Sequence, residues 1–63
     1  MEAYQERVTA EKSEIIEKLD KLDQFMSSSR FITVSPVEKA RLIRQHLIMQ
    51  LYEQVLSERV SAF

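Results

Sequence analysis

Arginines and aromatic residues recur beside apolar positions along this 63-residue chain. Tyr4 and Arg7 lie one helical turn apart near one end. Tyr52, Arg59 and Phe63 follow near the other, and Arg41, Arg44 and Gln45 form a group between them. An aromatic ring offers a face on which a base stacks, and a guanidinium offers a planar fork that holds a phosphate through paired hydrogen bonds. Tyr4 and Tyr52 are therefore candidate stacking residues. Arg7, Arg44 and Arg59 are candidate phosphate ligands, with Gln45 placed to read a base edge or a ribose. The same residues also fit a structural role, with the tyrosines as packing and the arginines paired to Glu6, Glu11 and Glu58. On residue types alone both readings stand.

Other chemistry is sparse. There is no cysteine, and His46 is the single histidine, so disulfides and thiolate zinc sites are excluded. His46 sits on a polar helical sector with Gln50 and Glu53, lacks a second ligand at metal-binding spacing, and is expected to be solvated. The acidic residues are spread as helix-surface pairs, Glu14 with Lys18 and Glu17 with Lys21 in the favourable i,i+4 order. They do not form the enclosed carboxylate pair that acid–base catalysis needs. Without glycine there is no phosphate-cradling loop of the glycine-rich kind. The expectation is a protein that is no enzyme, with no catalytic residue, no metal and no cofactor. Nine Lys plus Arg against ten Asp plus Glu leave a formal charge of −1, without the positive excess that displaces counterions from duplex DNA or RNA. No apolar run approaches the roughly 20 residues needed to span a bilayer, and the first residues are too polar for a signal peptide. These features, with the lack of cysteine, predict a soluble protein of the cytoplasm.

The elements that must position these residues are helices. With no glycine and Pro36 as the only proline, little interrupts a composition rich in strong helix formers. Tyr4, Val8, Ile15, Leu19, Leu22 and Met26 recur at helical steps, interrupted at Glu11 and Lys12, which suit either a buried interchain ion pair or a solvated patch. The first helix is predicted over about 3–27. Ser27-Ser28-Ser29 weakens it, and a connector over 28–35 follows, with Phe31 and Val34 plugging the closed end. Ser35-Pro36-Val37-Glu38 reads as N-cap, first helical position and capping box, so the second helix runs over about 36–60. The whole of 1–63 is one all-α domain, an antiparallel two-helix hairpin.

The second helix carries two apolar stripes. Val37, Ala40, Ile43, Leu47, Leu51 and Val55 make one. Leu42, Met49, Leu56 and Phe63 make the other in heptad spacing, flanked by Ile48, Tyr52 and Val60. One stripe packs on the first helix. The other, taken here as Leu42, Ile48, Met49, Leu56, Val60 and Phe63, requires a further chain, because a helix apolar on most of its circumference is buried on most of it. A homo-oligomeric helical bundle is the expected working form, since a chain this small needs a staple beyond its own core. The competing arrangement is a monomer in which both stripes form one broad face beneath a tilted first helix.

The spaced residues Tyr4-Gln5, Arg7-Val8, Glu11, Lys18-Leu19, Leu22 and Phe25, followed by Phe31, Glu38, Leu42, Gln45, Met49, Tyr52, Leu56 and Arg59-Val60, carry a resemblance across the whole chain. It resembles a family of very small phage proteins associated with the crAss-like phage hairpin annotation. That family is similar in architecture to the helical-hairpin sponges that phages use against CBASS and Thoeris immunity. The resemblance implies an anti-defence protein in the host cytoplasm. It further implies a homo-oligomer, often a hexamer in such sponges, that sequesters a cyclic nucleotide signal between chains without cleaving it. The alternative of another class is an adaptor or inhibitor that offers its second apolar face to a host protein.

Overall fold

The computed structural model describes residues 1–63 and contains three helices: α1 (Ala3–Met26), α2 (Ser29–Ile32) and α3 (Pro36–Ser61). The two long helices pack against each other as a hairpin within an envelope of 46 × 15 × 14 Å. No strand is present.

Each boundary has a local cause. At the start of α1 the Glu2 backbone N–H donates to Gln5 Oε1 at 2.9 Å, satisfying a donor that would otherwise have no helical partner. The helix stops where the Ser28 hydroxyl donates to the Phe25 carbonyl at 2.6 Å, a local serine bond that competes with the helical ladder. α2 is one turn inside the connector, and its Phe31 meets Phe25 edge-on at 6.1 Å. Lys39 Nζ lies 5.5 Å from the Phe31 ring centre, a cation–π contact that ties the start of α3 to this closed end. Ser35 Oγ accepts the Glu38 N–H at 3.2 Å, with Pro36 at the first helical position. Only half of the expected capping box forms, however. The Glu38 carboxylate turns to Arg41 at 3.5 Å, where a guanidinium one turn on is a stronger partner than a neutral backbone N–H.

The seam between the long helices is narrow. On α1 the sheltered positions are Gln5, Val8, Glu11, Lys12, Ile15, Leu19, Leu22, Phe25 and Met26; on α3 they are Lys39, Leu42, His46, Met49, Glu53, Leu56, Ser57 and Val60. Alternating three- and four-residue steps of this kind are the signature of a coiled-coil-like contact. The stripe that packs on α1 is thus the other one from that expected. Leu42, Met49, Leu56 and Val60, assigned above to an interchain surface, line the seam with α1, whereas Val37, Ile43, Leu47, Leu51 and Val55 are exposed. The reason lies in the polar residues interleaved with the first set. His46 is half-buried, not solvated, and its Nε2 meets Asp23 Oδ1 of α1 at 2.5 Å. Glu53 Oε1 accepts the Ser57 hydroxyl at 2.7 Å. With partners supplied, these polar side chains can occupy a seam that hydrophobicity alone would place elsewhere. Glu11 and Lys12 also lie half-sheltered along the hairpin.

The core is thin. Only Val8, at 6% exposure, and Leu56, at 3%, are buried. The chain exposes 4865 Å² at a mass of 7.4 kDa, against about 4,200 Å² for a compact monomer of that mass. Leu56→Ala, which empties the best-packed position, is expected to cost about 2–4 kcal/mol, read from the urea midpoint of the helical circular dichroism signal. Ser35→Ala is expected to cost about 1 kcal/mol by the same measurement, through loss of the α3 cap.

Candidate functional site

Outside the seam, α3 exposes a run of large apolar side chains, from Tyr52 at 44% beside the cleft with α1 to Val37 at 62%. Along the edge of this run, between it and the seam, lies a hollow of about 380 Å³ lined by Ile48, Leu51, Tyr52, Val55, Leu56 and Arg59. Its walls come from successive turns of one helix, and Arg59 is its one charged lining residue. A smaller cleft of about 170 Å³ lies across the hairpin, lined by Glu11, Glu14, Ile15, Lys18 and Tyr52. Tyr52 is common to both. Its ring thus stands between an apolar hollow with a cationic edge and a polar cleft of mixed charge.

Of the six residues singled out for ligand binding, Tyr52 and Arg59 share the larger hollow. The other four lie elsewhere. Tyr4 meets Phe63 edge-on at 5.7 Å, closing the open end of the hairpin. Arg7 is exposed on α1. Arg44 and Gln45 sit near the middle of α3, about 22 Å from Arg59 along a helix rising 1.5 Å per residue, and Gln45 Nε2 lies 3.7 Å from Met49 Sδ. The expected arginine pairs with Glu6, Glu11 and Glu58 do not form. The ion pairs present are Lys21–Glu17, Arg41–Glu38 and His46–Asp23, so Arg7, Arg44 and Arg59 keep their guanidinium groups free.

Leu51 and Val55 in the hollow were assigned by sequence to the helix seam, and Glu11, Glu14 and Lys18 in the cleft to a stripe break and surface pairs. Their grouping follows once Leu42, Met49 and Leu56 face α1, because Tyr52 then emerges at the edge of the seam. Glu14 and Lys18 line the cleft and make no mutual ion pair, whereas the other expected pair, Lys21 with Glu17, forms at 3.4 Å. No cluster of three or more His, Asp or Glu side chains is placed to hold a metal ion. No helix is long and apolar enough to cross a membrane.

Comparison with known proteins places this arrangement in a family. The Sequestin family model matches residues 2–62. The chain is 38% identical, over all of its own 63 residues and 98% of the relative, to an uncharacterized 7.5 kDa protein in the denB-rIIB intergenic region of Enterobacteria phage T4. No solved structure matches it. The chain belongs to the Sequestin family, and the expected kinship with small phage proteins is met at that level.

Because Tyr4 is engaged with Phe63, its first role is to fasten the hairpin ends. A double-mutant cycle of Tyr4→Ala and Phe63→Ala, followed by urea unfolding, is expected to give a coupling of about 0.5–1.5 kcal/mol.

Proposed function

We propose that this Sequestin-family protein sequesters a cyclic nucleotide immune signal in pockets between the chains of a homo-oligomer and releases it uncleaved. The observation that carries the reading is Tyr52 and Arg59 in one hollow of about 380 Å³, a volume within the range of small-molecule sites. Tyr52 supplies a stacking face and Arg59 an unpaired guanidinium for phosphate. The family's name supports sequestration, and a cyclic nucleotide is the ligand that the sequence resemblance to anti-CBASS and anti-Thoeris sponges implies. Tyr4, Arg7, Arg44 and Gln45 belong to the same proposed equipment, brought to the ligand from other chains of the assembly. Binding would take place in the host cytoplasm during infection, without a metal, a cofactor or duplex nucleic acid. The protein would act by mass action, as a binder and not as an enzyme, in keeping with the family's name.

A second reading is favoured by the exposed apolar run on α3. Leu47, Leu51 and Val55 are more than half exposed and have the spacing of a helix that docks in a groove, here on a host protein. Calorimetry with a panel of cyclic di- and trinucleotides separates the two. Sequestration predicts heat of binding and recovery of the intact nucleotide after heat denaturation of the complex. Tyr52→Ala should weaken that binding by about 1–3 kcal/mol. A cleaved product would sink the sponge reading in favour of an enzyme. Silence across the panel, with one-to-one capture of a host protein by a monomer, would favour the adaptor.

A further inference from the structure

The outer face of α3 has the geometry of a second seam. Val37, Ala40, Arg44, Leu47, Leu51 and Val55 follow one another at three- and four-residue steps, the same spacing that joins α3 to α1 on its opposite side. We infer that this face docks antiparallel on the same face of a second copy, so that each hollow holding Tyr52 and Arg59 is completed by the partner subunit's Arg44. The inference rests on the sequestration reading for its ligand, and on the shape and charge of α3 for its geometry.

The exposure of this face fits a second copy. Val37, Leu47, Leu51 and Val55 are each more than half exposed, a longer apolar strip than a lone chain usually leaves in water. A face with heptad-like spacing is also matched by an identical helix, knob against hole. Charge then selects the direction. Parallel in-register pairing would set Arg44 against its own copy in the middle of an apolar strip, a like-charge contact in a partly desolvated place. Antiparallel pairing about Leu47 and Ile48 sets Arg44 against the partner's Leu51 and Tyr52 instead. It also brings Glu38, in the first turn of α3, level with Arg59 in the last.

This pairing gives the hollow what one chain lacks. Within a chain Arg44 is about 22 Å from Arg59, too far to share a small ligand. Across an antiparallel pair it reaches the far side of Tyr52, so two guanidinium groups flank one stacking face. That arrangement suits a ligand with two phosphodiesters around stacked bases, a cyclic dinucleotide, and a pair of chains would hold two such sites.

The chain has no cysteine, so the geometry can be read by single-cysteine cross-linking without any ligand. Oxidation of an Arg44→Cys and Leu51→Cys mixture is expected to give an interchain disulfide that neither variant gives alone, because bridged Cα atoms must lie within about 7 Å. Cross-linking of Arg44→Cys with itself, or none in the mixture, overturns the proposal. Leu47→Glu should convert the pair to single chains by sedimentation while the helical signal is retained; a pair that survives it also overturns the docking face. The shared site is tested with cyclic di-AMP as probe. Arg44→Ala and Arg59→Ala should each bind it at least about tenfold more weakly. Their re-equilibrated mixture should recover wild-type affinity at about a quarter of the sites, since each mixed pair keeps one site with both arginines. No recovery from a wild-type protein that does bind means the site lies within one chain and overturns the sharing. A wild-type protein that cross-links as expected but does not bind the probe overturns the ligand assigned to the site and leaves the antiparallel pairing established.

Discussion

A helix that meets one neighbour buries one stripe of its circumference, and α3 has apolar side chains on two. Most of what distinguishes this molecule follows from that mismatch. The stripe through Leu42, Met49 and Leu56 is taken up by α1. The stripe through Leu47, Leu51 and Val55 is left in solvent, and only Val8 and Leu56 are withdrawn from it almost completely. The hollow that holds Tyr52 and Arg59 lies along the edge of the unsatisfied stripe. The surface that the hairpin cannot cover and the residues best suited to hold a ligand are thus the same part of the protein.

Much of the fold was legible in the residues. Ser35-Pro36 marked the start of α3, the serine run marked the end of α1, and the scarcity of helix breakers in between left little but a hairpin. Which stripe of α3 faces α1 was not legible, because the deciding contacts are polar. His46, Glu53 and Lys39 look like solvent-facing residues until Asp23, Ser57 and Phe31 are placed beside them. Two of these three contacts depend on another helix and could not be found by counting along α3. The half-formed capping box has a similar origin, since Glu38 had a choice between the backbone of Ser35 and the guanidinium of Arg41.

The candidate site was legible in part for the same reason. Tyr52 and Arg59 are two turns apart on one helix, so their grouping follows from local geometry. Tyr4 was placed correctly at the open end, but the nearness of Phe63 gives it an aromatic partner there and removes it from the hollow. Arg44 and Gln45 have side chains suited to a nucleotide, but no hairpin of this length can bring the middle of α3 to its own end. Composition shows which side chains are suited to a nucleotide. It cannot show which of them share a volume when the decisive separation is the length of a rigid helix.

The position of the buried residues has a kinetic consequence. Contacts near a turn form first because they close the smallest loops, and in this chain that region holds the Phe25–Phe31 edge contact and Lys39. The two most withdrawn side chains, Val8 and Leu56, lie at the other end, followed by the Tyr4–Phe63 contact. A half-zipped hairpin has therefore ordered about half of its backbone before either of its two most buried side chains is in place. Such a distribution favours all-or-none closure over a stable folded stub with frayed tails. The free ends act as the clasp of the hairpin, and unzipping that begins there gives up the core at its first step.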